Sequence, residues 1–299
     1  MNRYRALNDY LKDRFGKKVY KLALDVGGTC PNRDGTKGTG GCLFCSLGGS
    51  GEFAEKGTDV REQIRRAKTR LHNKVPADGG YIAYFQSFTN TYAPLAVLRE
   101  RFFAALEDPD VVALSVATRP DCLPEDVIAL LKELNAVKPV WVELGLQTSK
   151  PETAKLINRC YENDDYTQAV GRLNEAGIEV ITHVILGLPG ETAEDMKATV
   201  RFACAPGIQG IKLQLLHVLS GARLAELPYE PMTKERYFEA LSACLEEIPP
   251  KVVIHRLTGD GDKRLLLAPL WSADKHRVLN DLHAYLEKND IIQGRKYHG

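Results

Sequence analysis

No apolar run in the 299-residue chain approaches the length of a membrane span. The opening MNRYRALNDYLKDRFGKKVYK has no apolar core, so a secretory signal is not expected either. The expected location is the cytoplasm, with no membrane partner. No second C-x2-C and no H-x3-H spacing accompanies the single Cys42–Cys45 pair, which leaves a closed four-ligand zinc site short of ligands. Seven cysteines cannot all pair, and a cytosolic chain keeps its thiols reduced, so a disulfide framework is not expected. Internal repeats and low-complexity tracts are also missing.

The glycine-rich run GGTCPNRDGTKGTGGCLFCSLGGSG (residues 27–51) carries Cys30, Cys42 and Cys45 at the spacing C-x11-C-x2-C. Nine glycines and no helical or strand period make this segment a loop. A loop that exposes three thiolates near one point is a metal or iron–sulfur site, and the spacing alone leaves both open. Three thiolates can hold three irons of a [4Fe–4S] cube and leave the fourth free for a small molecule. If that molecule is S-adenosylmethionine, reduction of its sulfonium yields a carbon radical. Cys204 and Cys244 read as packing residues in helices. Cys122 and Cys160 follow predicted elements near the active face and are candidates for a role.

Strand patterns at 22–26, 80–86, 111–118, 139–148, 178–186 and 210–217 alternate with helical patterns at 56–74, 93–107, 123–136, 151–176 (in two pieces) and 191–204. Near-continuous apolar strands with intervening helices predict an α/β fold with a parallel sheet. Six repeats are too few for a closed eight-stranded barrel, so the expected architecture is an open, partial (β/α)6 TIM-like barrel. Its active face would be the C-terminal ends of the strands. Unusual polar residues cluster there. Gln86, Ser87, Thr89 and Asn90 follow the second strand, and Thr118, Arg119, Pro120 and Asp121 the third. Glu143 and Gln147 lie in the fourth, His183 in the fifth, and Gln214 and His217 in the sixth. The expected organisation is a basic N-terminal segment (1–21), a core (22–225) and a C-terminal α/β extension (226–299). That extension holds a helix at 233–247, a strand at 252–257 and a helix at 272–288, and is packed on the open sheet edge.

The near-zero net charge hides an asymmetry. Residues 1–21 carry seven Lys or Arg against two Asp, and residues 61–74 carry six against one Glu. Such clusters suggest an anionic partner if they border the pocket mouth, or solvated helix faces if they do not.

Six motifs occur in order: TCPNRDGTKGTGGCLFC, YFQSFTNTYAP, ATRPD, VELGLQT, INRCY and HVILGLPGET. With them the chain resembles the radical S-adenosylmethionine superfamily. In particular it is similar to a bacterial group related to the radical domain of Elongator subunit three and to oxygen-independent coproporphyrinogen oxidases. Its cysteine spacing is longer than the superfamily's usual C-x3-C-x2-C. The resemblance implies a [4Fe–4S] cluster on Cys30, Cys42 and Cys45, with S-adenosylmethionine as second cofactor. It implies that Gln86, Ser87 or Thr89 takes the ligand's amine, Glu143 its ribose, Arg159 its carboxylate, and Gly187 and Gly190 its adenine. Arg119 and Gln147 complete the expected cofactor-binding set. Catalytic residues are not identified; Cys122, Cys160, Tyr161, Gln214 and His217 are the candidates.

The implied function is reductive cleavage of S-adenosylmethionine to a 5′-deoxyadenosyl radical. That radical would tailor the C5 side chain of tRNA wobble uridine, from carboxymethylaminomethyl to aminomethyl, with a donor such as flavodoxin or ferredoxin. The 226–299 segment is too short for Elongator's acetyltransferase domain. A second cysteine triad, expected of methylthiotransferases, is missing too. Radical chemistry on a small metabolite or tetrapyrrole, and an iron–sulfur binding or sensor protein without turnover, are the alternatives.

Overall fold

The computed structural model describes residues 3–49, 51–259 and 261–298. Residues 1–2 of the basic N-terminal segment therefore lie outside the described residues. Helix α1 (Leu7–Phe15) leads into strand β1 (Val19–Leu24), and the cysteine loop then runs to α2 (Val60–Leu71). The side chain of Asp59 accepts from the backbone N–H groups of Arg61 and Glu62 and so starts that helix. Next come β2 (Gly80–Phe85), α3 (Leu95–Leu106), β3 (Val111–Thr118), α4 (Glu125–Asn135), β4 (Val140–Gln147), α5 (Pro151–Leu156), α6 (Asn163–Glu175), β5 (Glu179–Leu186), α7 (Ala193–Cys204) and β6 (Gly210–Leu215). The C-terminal part holds β7 (Val218–Leu219), α8 (Lys234–Glu247), β8 (Val253–Arg256), β9 (Leu266–Ala268) and α9 (Lys275–Lys288).

The expected α/β partial barrel forms, with one strand more than the six expected. The curled sheet runs β1-β2-β3-β4-β5-β6-β8, and every pair in it is parallel. The strand expected at 252–257 is the seventh: it pairs with β6, Gly210 opposite Val253. Ala6 in turn bridges Ile254, whose N–H donates to the Arg5 carbonyl, so the N-terminal segment covers the new edge. A two-stranded antiparallel pair, β7 with β9, was too short to read from pattern.

Strand side chains alternate between two faces. On β4, Val142, Leu144 and Leu146 point outward into the core shared with Leu131 and Leu134 of α4 and Val170 and Leu173 of α6. Trp141, Glu143 and Gln147 belong to the inner face, which is built in tiers. The lowest tier is apolar. There Val19, Ile82, Ala113, Trp141 and Ile181 pack with Leu11 of α1, which plugs the N-terminal end of the strands. Above it lies a polar tier, and above that the cavity at the C-terminal strand ends.

The sequence left open whether the basic segments border the cavity, and neither α1 nor α2 contributes a residue to its lining. Helix α1 closes the opposite end. On α2, Arg61 pairs with Glu107, Arg65 with Glu62, Arg66 with Glu55 and Glu62, Lys68 with Asp108 and Asp110, and Arg70 with Glu55. The excess cations of 61–74 meet acids that lie elsewhere in sequence, so the face is largely neutralised. Among the described residues, no helix is long and apolar enough to cross a membrane.

Candidate active site

The cavity at the strand ends is lined by Cys30, Cys42 and Cys45, by Gln86, Thr89, Arg119, Glu143, Gln147 and Tyr161, and by His183, Gln214, His217 and Arg256. The structure thus gathers most of the expected site residues on one continuous surface, together with His183 and Arg256. Phe88 and Arg33 also line it, the guanidinium carbon lying 5.4 Å from the ring centre.

The three loop cysteines form no disulfide and are partly exposed. Contact with the Cys45 sulfur, burial, and the nearby Cys45 and Cys30 together hold the Cys42 thiol well above its ordinary range, although Arg119 opposes them. Among the described residues, no three of His, Cys, Asp and Glu close around one point as the ligands of a single ion would. A cube bonds each cysteine to a different iron and needs no such point. Asn32 Nδ2 approaches Cys42 Sγ at 3.5 Å, a hydrogen bond to sulfur of the kind that would tune a cluster held there. The residues therefore fit a three-cysteine [4Fe–4S] site.

Backbone packing shapes the loop. Gly49 has φ +60°, and a Cβ there would overlap the Phe88 ring. On the other side the segment Ile157–Tyr161 clips the loop in place. The N–H of Leu43 donates to Ile157 O at 2.9 Å, and Asn158 Nδ2 donates to Thr39 O and Gly41 O at 3.2 and 2.9 Å. Asn158 and Cys160 take φ values of +55° and +59°, a strained turn that these hydrogen bonds hold. Cys160 lies under the loop, where a Cβ on Gly38 would come within 2.9 Å of its sulfur.

Several expected residues do not face the cavity. Arg159 is buried, and its guanidinium donates to the carbonyls of Tyr161, Leu146 and Thr148 and to Asn163 Oδ1. The fork expected from it toward a ligand carboxylate is thus spent on its own turn. Arg119 faces the cavity instead. It forks onto Asp121 at 2.9 Å through Nε and Nη2, and donates to Arg159 O through Nη1 at 3.0 Å. Gly187 and Gly190 line a separate cavity with Pro228, Tyr229 and Met232, and Tyr229 donates to Gly187 O at 2.6 Å. Ile185 of β5, two residues before Gly187, lines the cavity of the loop cysteines. Ser87 is buried, 3.3 Å from Lys56 Nζ. Cys122 is buried as well, and burial pushes its thiol up to about 12. His217 is held at both ring nitrogens: Nδ1 accepts from Gly261 N at 3.2 Å, and Nε2 lies 3.0 Å from Ser272 Oγ. It ties Gly261 to the wall. Tyr161 donates to Gly145 O, and Gln147, at φ +64°, stands beside it.

Beneath the cavity, Glu143 is fully buried, and its expected ribose contact meets four donors already present. Lys21 reaches it at 2.7 Å, Ser115 at 2.8 Å and His183 at 2.7 Å, with Lys212 in contact as well. Burial would raise this carboxyl, but Lys21, Lys212 and His183 outweigh it and hold it well below the carboxylate range. Burial and then Lys212 push His183 down to about 4. Lys21 and Lys212 also sit 4.4 and 4.8 Å from the Tyr84 ring centre. Sequence reasoning missed Lys21, Tyr84, Lys212 and Arg256. The available signal was a lone lysine and a lone glutamate, each inside an otherwise apolar strand.

Residues 27–203 match the Radical SAM superfamily and residues 208–288 a Radical SAM C-terminal domain. The chain is 46% identical over 299 residues to "Uncharacterized protein YtqA" of Bacillus subtilis, covering 98% of this chain and 92% of that protein. It is 30% identical over 187 residues to "tRNA uridine(34) acetyltransferase" of Methanocaldococcus infernus, 60% of this chain and 34% of that protein. Among solved structures, Methanocaldococcus infernus Elp3 lacking residues 1–46 superposes with a TM-score of 0.68 at 21% identity, over 93% of this chain and 64% of that one. That likeness speaks for the fold. The cysteine loop at the open end of a parallel half-barrel and the superfamily match over most of the chain lead to one conclusion: this is a radical SAM enzyme, whose cofactors are a [4Fe–4S] cluster and S-adenosylmethionine.

Proposed function

We propose that this radical SAM enzyme acts on the C5 side chain of tRNA wobble uridine, converting carboxymethylaminomethyl to aminomethyl. The observation that carries the reading is the similarity of the core to a protein named for tRNA uridine 34. With the cluster and S-adenosylmethionine bound, and a one-electron donor such as flavodoxin or ferredoxin, the site has chemistry able to take a hydrogen atom from an unactivated carbon. The conversion asks for a hydrogen atom to leave the carbon between amine and carboxylate, for the resulting carbon radical to give one electron to a one-electron acceptor and one proton to solvent so that an imine forms, and for water to hydrolyse that imine, breaking the C–N bond and releasing glyoxylate from the aminomethyl product. Arg119, Gln147, Gln86 and Thr89 supply polar groups on the cysteine side of the cavity, and Tyr161 orders that wall. The direct test is nucleoside mass spectrometry of tRNA from a strain lacking the protein. Carboxymethylaminomethyluridine should accumulate at the wobble position and the aminomethyl form disappear; an unchanged nucleoside profile refutes the reading.

A tRNA substrate must bring a flipped uridine to this cavity and set phosphates around its mouth. Two exposed cations outside α1 and α2 are candidates for that role. Arg223 is exposed beside Gly40 of the cysteine loop, and Lys263 is exposed next to the lining residue Gly261. The double variant Arg223→Glu, Lys263→Glu should weaken tRNA binding and reduce the salt slope by about 1 for each phosphate no longer neutralised. Filter binding across a salt series reads both quantities. Reversal of Arg65 and Arg66, which are already paired, should change the slope much less.

A further inference from the structure

Asn32 and Arg33 lie in the eleven-residue stretch between Cys30 and Cys42, which folds back on itself. Asp34 and Thr39 bridge antiparallel, and Gly41 N donates to Asn32 O at 2.8 Å. The tip at residues 34–37 is exposed, yet Asn32 beneath it is fully buried. Its Nδ2 lies 3.5 Å from Cys42 Sγ and also donates to Asn158 O. A carbonyl oxygen can only accept, so Asn158 fixes the amide with its nitrogen toward that side and leaves the second N–H for the sulfur. Arg33 lines the cavity, and its guanidinium is pinned on three sides. Nη2 donates to Ser46 O, a Cβ on Gly41 would lie 2.8 Å from Nε, and the Phe88 ring centre is 5.4 Å away. Gly41 precedes Cys42 and Ser46 follows Cys45, so this cation lies against the chain on both sides of the C-x2-C pair. Among the described residues it makes no ion pair. Of the acids that line the cavity, Glu52 takes the Ser46 hydroxyl and Glu143 belongs to the tier below. Arg119, also on the cysteine side, is by contrast forked onto Asp121.

A cluster on three thiolates is an anionic group, and it gains one more negative charge when a donor passes it an electron. An N–H on a ligand sulfur and a cation nearby both stabilise that added charge, so both raise the reduction potential. We propose that Asn32 and Arg33 set the reduction potential of the cluster, Asn32 by donating to the Cys42 sulfur and Arg33 by its charge beside the Cys42–Cys45 pair. Both are positioning residues that act through the cluster and its ligands. The long first spacing acquires a physical use. Eleven residues let the chain return on itself and bring these two side chains to the later cysteines; three would leave no chain for that return. The proposal is independent of the substrate.

The test is a stepwise reductive titration of the anaerobic, cluster-loaded enzyme, without tRNA or S-adenosylmethionine, followed by electron paramagnetic resonance. At the wild-type midpoint, the ratio of reduced to oxidised cluster should fall about tenfold in Arg33→Gln and in Asn32→Leu, which is a midpoint lower by about 59 mV for one electron. Arg33→Lys keeps the charge and should stay within about threefold of wild type. Asn158→Gly suits the positive φ of its turn and removes the donors to Thr39 O and Gly41 O without touching a sulfur. It too should stay within about threefold. Iron analysis precedes each titration. Where Asn32→Leu holds no iron, Asn32→Ala replaces it, and loss of iron in both overturns the assignment of Asn32. A titration of Arg33→Gln or Asn32→Leu that overlays the wild type overturns the proposal for that residue. A fall in Arg33→Lys equal to that in Arg33→Gln overturns the charge argument. A shift in Asn158→Gly as large as that in Asn32→Leu overturns the tuning role in favour of a purely structural one.

Discussion

Alanine at Cys30, Cys42 or Cys45 is expected to remove the cluster and with it all reductive cleavage of S-adenosylmethionine, while Cys204→Ala and Cys244→Ala leave both in place. Anaerobically purified wild type should hold about four irons per chain, and each loop variant close to none. The contrast follows from position. The loop thiols share one cavity and crowd one another, whereas burial pushes the Cys204 and Cys244 thiols up to about 12 inside the helical layer, away from any iron. A cube on three cysteines tolerates no loss of a ligand, since the loop offers no spare one. Iron analysis together with chromatography of 5′-deoxyadenosine decides it. Full iron content in Cys42→Ala, or loss of iron in Cys244→Ala, contradicts the assignment.

Glu143→Leu should lower stability more than any single change on the cavity walls. It strands Lys212, whose side chain is 2% exposed, beside Lys21 with no carboxylate. Breaking a buried ion pair from one side costs about 3–5 kcal/mol. For a chain of this size that corresponds to a melting temperature lower by about 5–8 °C. Adding Lys212→Met should restore most of the loss, because the second charge is then removed too. Scanning calorimetry of the two variants measures the difference, and a double variant no more stable than Glu143→Leu would falsify the counter-charge argument. The same tier predicts acid sensitivity. The folded-state pKa values of His183 and Glu143 both lie below their unfolded values. Their contribution is therefore complete above the unfolded values and is lost as pH falls. For His183 the window runs from about 6.5 down to about 4, worth about 3 kcal/mol. His183→Gln should flatten the fall of melting temperature across that window.

The strand–helix rhythm was legible because each core strand is a short apolar run ended by Gly, Pro or Asp. The cysteine loop was legible because its glycines exclude any other element. Convergence of Gln86, Arg119, Gln147 and Gln214 followed from topology alone, since parallel strands place their C-terminal ends together. What pattern did not show was partner choice. INRCY reads as a ligand-binding arginine, yet Arg159 turns onto the carbonyls of its own loop and the segment serves as a clip for the cysteine loop. Lys21 counted among the basic N-terminal residues, yet strand parity sends it into the barrel to meet Glu143. The cations of α2 are answered by Glu55, Glu107, Asp108 and Asp110, which no local window contains. The strand at 252–257 was recognised, but its place beside β6 depends on a long-range pairing.

The most direct measurement is anaerobic turnover of the reduced holoenzyme with tRNA bearing carboxymethylaminomethyluridine at the wobble position, following nucleoside and 5′-deoxyadenosine together. The account predicts aminomethyluridine appearing with 5′-deoxyadenosine in equal amounts, and neither product with Cys42→Ala. Cleavage of S-adenosylmethionine that proceeds at the same rate with and without this tRNA, with the wobble nucleoside unchanged, contradicts it.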